Sequence, residues 1–199
     1  MCSQEFEGIV TYEVKLQIVG QESDSSLLEA MKMFKSTQID YYKESQYKSI
    51  SSDPFQDTET VSQFDTRTKL TYAYVKDNHQ QAFWYDASKH VSKDFSVTEV
   101  EDDYILGHKC KGLKFKSEKI EITYWFTDSY KIDINRYKNN YSYYFSEFIK
   151  RTGRLPLKYS INTGAGQYNI ITAINIQEKS LKEMDFEIPK FDRLIESTN

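Results

Sequence analysis

Apolar and polar positions alternate near the start of the chain. Gly8, Val10, Tyr12, Val14, Leu16 and Ile18 share one phase, while Glu7, Thr11, Glu13, Lys15 and Gln17 share the other, with Ile9 the exception. A period of two held this long predicts a strand over residues 6–18 with one buried and one wet face. The period then changes: Leu27, Leu28, Met31 and Phe34 are spaced as the apolar stripe of a short helix over 26–35, which Asp24 or Ser25 can cap. From Gln38 onward short strands are expected at Ile39 and Tyr41 and over 47–51, 61–64, 69–75 and 82–86, separated by turns such as Asp65-Thr66-Arg67-Thr68. The signal weakens over 91–100, and Glu99, Glu101, Asp102 and Asp103 then read as a solvated acidic loop.

In the second half, strands are expected over 104–115, with Gly107 as a bulge or bend, and over 119–126, where Ile120, Ile122, Tyr124 and Phe126 alternate with polar neighbours. Tyr144, Phe145, Phe148 and Ile149 lie at helical spacing, predicting a helix or aromatic-rich lid over 141–149. Strands over 155–161 and 168–176 flank Asn162-Thr163-Gly164-Ala165-Gly166, a permissive hairpin connection. Residues 186–188 read as an edge strand ended by Pro189. About nine to eleven strands exceed what a flat sheet holds without curling. The expected fold is therefore mainly β with some helix (α+β): a single curved antiparallel sheet or half-barrel carrying one or two helices on its concave face. Residues 1–5 form a tether, 6–192 a single domain and 193–199 a tail.

Composition narrows the function. Sixteen Tyr and twelve Phe among 199 residues supply much of the apolar surface for a core. The net charge of −4 gives no drive for phosphate neutralisation, which argues against nucleic acid. No apolar run reaches the roughly 18 residues that span a bilayer as a helix. Cys2 directly follows the first Met, an odd place for a core thiol. A secreted bacterial precursor cut before a Cys at the end of its signal peptide has this form, with the Cys2 sulfur carrying a diacylglycerol. The expectation is a lipoprotein of the cell envelope, on the outer membrane facing the periplasm or the cell surface. Cys110 is then a buried small hydrophobe; without acylation, a Cys2–Cys110 bridge stays open.

Catalytic and metal chemistry find little support. His79, His90 and His108 are not spaced to share an ion, and the acidic cluster lacks the Gly and ligand alternation of a calcium loop, so no metal and no cofactor are expected. There is no Gly-x-Ser-x-Gly elbow and no phosphate-binding glycine loop. His108 and Cys110 stand two apart, which on one strand puts both on one face and offers a way to a thiolate, although a buried thiol beside an imidazole is the plainer reading. The aromatics are the better lead. Tyr141, Tyr144, Phe145, Phe148, Trp84 and Trp125 are the candidates to line a cavity for a hydrophobic ligand, against the ordinary alternative that they fill the core.

Four stretches carry a family resemblance: Phe6-Glu7-Gly8-Ile9-Val10-Thr11-Tyr12; Glu29-Ala30-Met31-Lys32-Met33-Phe34; Ile105-Leu106-Gly107-His108-Lys109-Cys110-Lys111 with Tyr124-Trp125-Phe126-Thr127; and Leu155-Pro156-Leu157-Lys158-Tyr159 with Phe186-Glu187-Ile188-Pro189. In these the chain resembles a family of bacterial exported proteins common in Bacteroidetes, with relatives of the GLPGLI type, that has no assigned activity and a sheet like that of the LolA and LppX lipoprotein carriers. His108 departs from the aromatic usual at its position. The resemblance implies a half-barrel whose hollow receives acyl chains, and it brings no catalytic residues. Two functions follow as expectations: a non-enzymatic envelope lipoprotein binding a hydrophobic ligand in the hollow, or an interaction module with a self-filled core. The state of the sheet's interior separates them.

Overall fold

The computed structural model describes residues 5–19, 36–44, 46–53, 57–89, 93–162, 164 and 166–197. The helix expected over 26–35 and the anchor expected at Cys2 lie outside them. Twelve strands form one open sheet: β1 (Gly8–Ile18), β2 (Ser36–Lys43), β3 (Gln46–Asp53), β4 (Thr58–Asp65), β5 (Leu70–Val75), β6 (Gln81–Asp86), β7 (Ser96–Ile105), β8 (His108–Lys116), β9 (Glu121–Lys131), β10 (Arg154–Asn162), β11 (Gln167–Glu178) and β12 (Arg193–Glu196). Their spatial order is β12-β6-β5-β4-β3-β2-β1-β11-β10-β9-β8-β7. Two meanders, β1–β6 and β7–β11, are thus joined where β1 pairs antiparallel with β11. A curved, mainly antiparallel sheet was expected from the polarity repeat, and this is the architecture found.

β1 follows its alternation closely, with Val10 and Tyr12 fully buried. One α-helix is present among the described residues, α1 (Phe145–Thr152), ended by Gly153 at a left-handed φ of 59° that lets its N–H reach the Ile149 carbonyl. The chain between β9 and α1 crosses from one half of the sheet to the other. Tyr137 donates its hydroxyl to the Gln46 carbonyl of β3 at 3.2 Å. The Tyr141 N–H donates to the carbonyl of Ala87, just past β6, at 2.9 Å. From there α1 returns to β10, so residues 132–152 strap the open sheet across its inner face.

Several local expectations are corrected. Residues 104–115 are not one bent strand. Leu106 (φ 50°) and Gly107 (φ 78°) form a two-residue turn between β7 and β8, because paired positive φ values match the twist of a hairpin. The acidic cluster is not a loop but lies on β7, an edge strand whose exposed charges block further pairing. Residues 186–188 form no strand; a 3₁₀ turn at Glu183–Phe186 leads instead to β12, which pairs parallel with β6 and comes from the segment read as the tail.

Candidate functional site

The sheet's two halves use their faces differently. In β9–β11 the inner face is aromatic and aliphatic: Phe148 of α1 stacks on Tyr124 at 4.4 Å between centroids and meets Phe126 edge-on at 5.7 Å. Tyr144 stacks against Phe115 at 6.0 Å and is 1% exposed. In β2–β5 the polarity is mixed. Ile50, Val61 and Tyr74 face outward, where Phe191 covers them, with Tyr74 and Phe191 centroids 5.0 Å apart. The inward positions there include the polar Ser36, Gln38, Asp40, Ser49, Ser51, Ser62 and Thr71, interspersed with Tyr42, Tyr47, Phe64 and Ala73. Small polar side chains cannot fill the space under the strap, and a hollow of about 540 Å³ remains between this wall and Ile122, Tyr124, Phe145, Tyr159, Ile161 and Ile171 opposite.

Among the described residues, Asp40 is the one charged side chain lining the hollow. It is 1% exposed and accepts hydrogen bonds from Gln38 Nε2 at 2.9 Å, Tyr47 OH at 3.0 Å and Tyr42 OH at 3.3 Å, with Ser49 adding another. Every one of these donors is neutral. Burial raises the Asp40 carboxyl to about 6, and the four hydrogen bonds to the charged form keep it from rising further. Around it, burial first and the Asp40 charge after it push Tyr12, Tyr47 and Tyr159 well above the ordinary phenol range. Tyr42 rises likewise, through burial, then Tyr12 and Asp40. The strap contributes Tyr143 and Tyr144 at φ of 52° and 59°, a left-handed conformation that costs non-glycine residues about 1–3 kcal/mol each. It is held by the Tyr124 hydroxyl donating to the Tyr143 carbonyl at 2.8 Å and by burial of the Tyr144 ring.

Of the six aromatic candidates, Phe145 lines the hollow. Tyr144 and Phe148 are core instead, packed where β8 and β9 meet α1. Tyr141 ties the strap to the end of β6 and is not among the lining residues. Trp84 and Trp125 sit on the outer face, since their neighbours Tyr85 and Tyr124 take the inner positions and strand side chains alternate. Trp125 donates its indole N–H to the Glu101 carbonyl at 3.1 Å and carries Lys158 Nζ 4.7 Å above its ring. Missed from the sequence were Asp40, Gln38, Tyr42, Tyr47 and Tyr159; the available signal was Gln38, Asp40 and Tyr42 falling in phase on one strand. Gly112 lies opposite Trp125, and a Cβ there would collide with Val100 Cγ2 and stand 2.9 Å from Trp125 Nε1. Gly112→Ala is expected to destabilise the protein by about 1–3 kcal/mol through overpacking, with a shift in tryptophan emission during denaturant titration as the readout.

The thiolate route closes. Cys110 is buried and raised to about 11 by burial, and its Sγ lies 3.5 Å from the His108 carbonyl rather than being served by the ring. The His108 ring instead meets Tyr130 edge-on at 5.7 Å. Among the described residues no three His, Cys, Asp or Glu side chains are grouped to hold a metal ion, and no helix is long and apolar enough to cross a membrane.

The fold and hollow define an open half-barrel strapped across a partly filled interior. No protein-family model matches the sequence, and no curated protein matches it as a relative. Among solved structures, PNGF-II superposes with a TM-score of 0.52 at 11% identity, covering 96% of this chain and 31% of that one. This chain thus spans less than a third of that neighbour's length. An uncharacterized conserved protein from Thermus thermophilus gives 0.51 at 9% identity, covering 94% of this chain and 91% of its own. A LolA superfamily protein from Nitrosomonas europaea gives 0.44 at 6% identity, over 92% and 91%. At such identities the likeness is one of fold alone.

Proposed function

We propose that the protein is a non-enzymatic binding protein of the cell envelope, tethered through a lipid on Cys2, that takes a ligand with a long apolar part into the hollow of its sheet. The observation that carries this reading is the unfilled volume of about 540 Å³, which falls within the range of small-molecule sites and is walled on one side by aromatic and aliphatic side chains. Each methylene moved from water onto that wall contributes about 0.8 kcal/mol. A self-filled interaction module has no need of such a space.

Protein purified from the membranes of its own host and measured by native mass spectrometry is expected to carry a small molecule with a long apolar part that solvent extraction releases. The denatured mass is expected to include a diacylglycerol on Cys2. A protein that emerges empty and takes up no alkyl probe would defeat the ligand reading, and an unmodified Cys2 would defeat the tether.

A further inference from the structure

We infer that the hollow recognises a cationic head group, an ammonium or quaternary amine borne on an apolar tail, with Asp40 as its counter-ion. This rests on the ligand-binding reading above and names the class of ligand. The hollow is two-sided in chemistry: hydroxyl and amide groups of β2–β5 face the apolar wall of β9–β11 across it. Such a lining suits an amphipathic molecule better than a bare alkyl chain, because a polar wall left against methylenes forfeits its hydration.

The sign of the head group follows from charge. Asp40 stands among neutral donors, and no lysine, arginine or histidine lines the hollow among the described residues. A carboxylate or phosphate head brought here would meet a buried anion and find no cation to hold it, so simple fatty acids and phosphate lipids are disfavoured. A cation gains twice. It neutralises a carboxylate that is otherwise buried without a counter-charge, which relieves part of the cost of that burial. It also enters a space lined by the rings of Tyr42, Tyr47 and Phe145, and a cation held within about 6 Å of such a ring face is attracted by its quadrupole. The Tyr42 hydrogen bond to Asp40, at 3.3 Å longer than those from Gln38 and Tyr47, is the one that yields to an ammonium N–H. A quaternary amine needs no such exchange. The tail then runs toward Ile122, Ile161 and Ile171.

The test displaces the neutral dye N-phenylnaphthylamine from the full chain with dodecylamine, dodecyltrimethylammonium, dodecanol and dodecanoate, each below its micelle concentration, at pH 7.5. Both cations are expected to bind at least about tenfold more tightly than dodecanol, the scale of a charge-assisted contact, with dodecanoate weakest. In Asp40→Asn the ratio of cation to alcohol affinity is expected to collapse toward one. Dodecanol or dodecanoate binding as tightly as the cations, or a cation preference that survives Asp40→Asn, overturns the head-group assignment while leaving the apolar site standing. Failure of all four probes to displace the dye removes the ligand-binding reading and this inference with it. The wild-type series decides the question even if the variant folds poorly.

Discussion

Phe148→Ala is expected to lower the stability of the protein by about 3–5 kcal/mol, the cost of removing a buried phenyl ring from a site that cannot collapse around the loss. Phe148 has no exposed surface, and its ring is the point where α1 meets the sheet through Tyr124 and Phe126, with Phe145 of the same helix beside it. Eight residues of helix are too few to hold themselves in water, so the docking of α1 depends on this contact. At this chain length each kcal/mol moves the melting temperature by roughly 2–4 °C. The expected result in a thermal melt is therefore a large drop, accompanied by weaker uptake of the neutral dye, because Phe145 and the strap that walls the hollow lose their support. Phe148→Leu, which keeps most of the volume, is expected to recover much of both. A loss under about 1 kcal/mol in Phe148→Ala, well below the range for such a deletion, would mean that α1 is not anchored by this ring.

The sheet was legible in the chain because most of its strands keep a period of two, β1 above all, and because Gly, Asn and Asp mark the turns between them. Elements failed where a strand's role suppressed that period. β7 is an edge with a register shift between Val100 and Asp103, so the exposed Glu99, Glu101 and Asp102 break the alternation, and the strand read as a loop. β12 has four residues and pairs in parallel, too short to show any period. Leu106 at positive φ left only Gly107 to report the β7–β8 turn, and a single glycine in a strand reads as a bulge.

The site was less legible for a different reason. Alternation tells which residues share a face but not which face turns inward. In β2–β5 both faces carry apolar side chains, Ile50, Val61 and Tyr74 on one and Tyr42, Phe64 and Ala73 beside Asp40, Ser49 and Ser62 on the other, so the rule that apolar residues go inside does not choose between them. The curvature of the sheet, set by all twelve strands together, makes that choice. The same ambiguity explains why Trp84 misled: it shares the outer face with Ala82 and Tyr72.

The second large effect concerns pH. A carboxyl that titrates near 6 in the folded protein and near 3.8 in an open chain binds more protons folded than unfolded across the interval between. Stability then falls as pH rises through that interval, by about 3 kcal/mol in total, and is flat above it. The direction is opposite to that of an ordinary salt-bridged Asp, whose contribution grows with pH. The groups facing Asp40 do not interfere: Gln38 and Ser49 do not titrate, and the phenols of Tyr12, Tyr42, Tyr47 and Tyr159 are held well above this range. Because the amide of the Asp40→Asn variant does not ionise, subtracting the denaturation free energies of the wild type from those of the variant cancels all other titrations. The difference is expected to move in favour of the variant from about pH 4 to about 6.5 and then level off. A difference that stays constant over this range would mean that the Asp40 carboxyl ionises as it does in water, so that its burial carries no energetic cost for a bound cation to relieve.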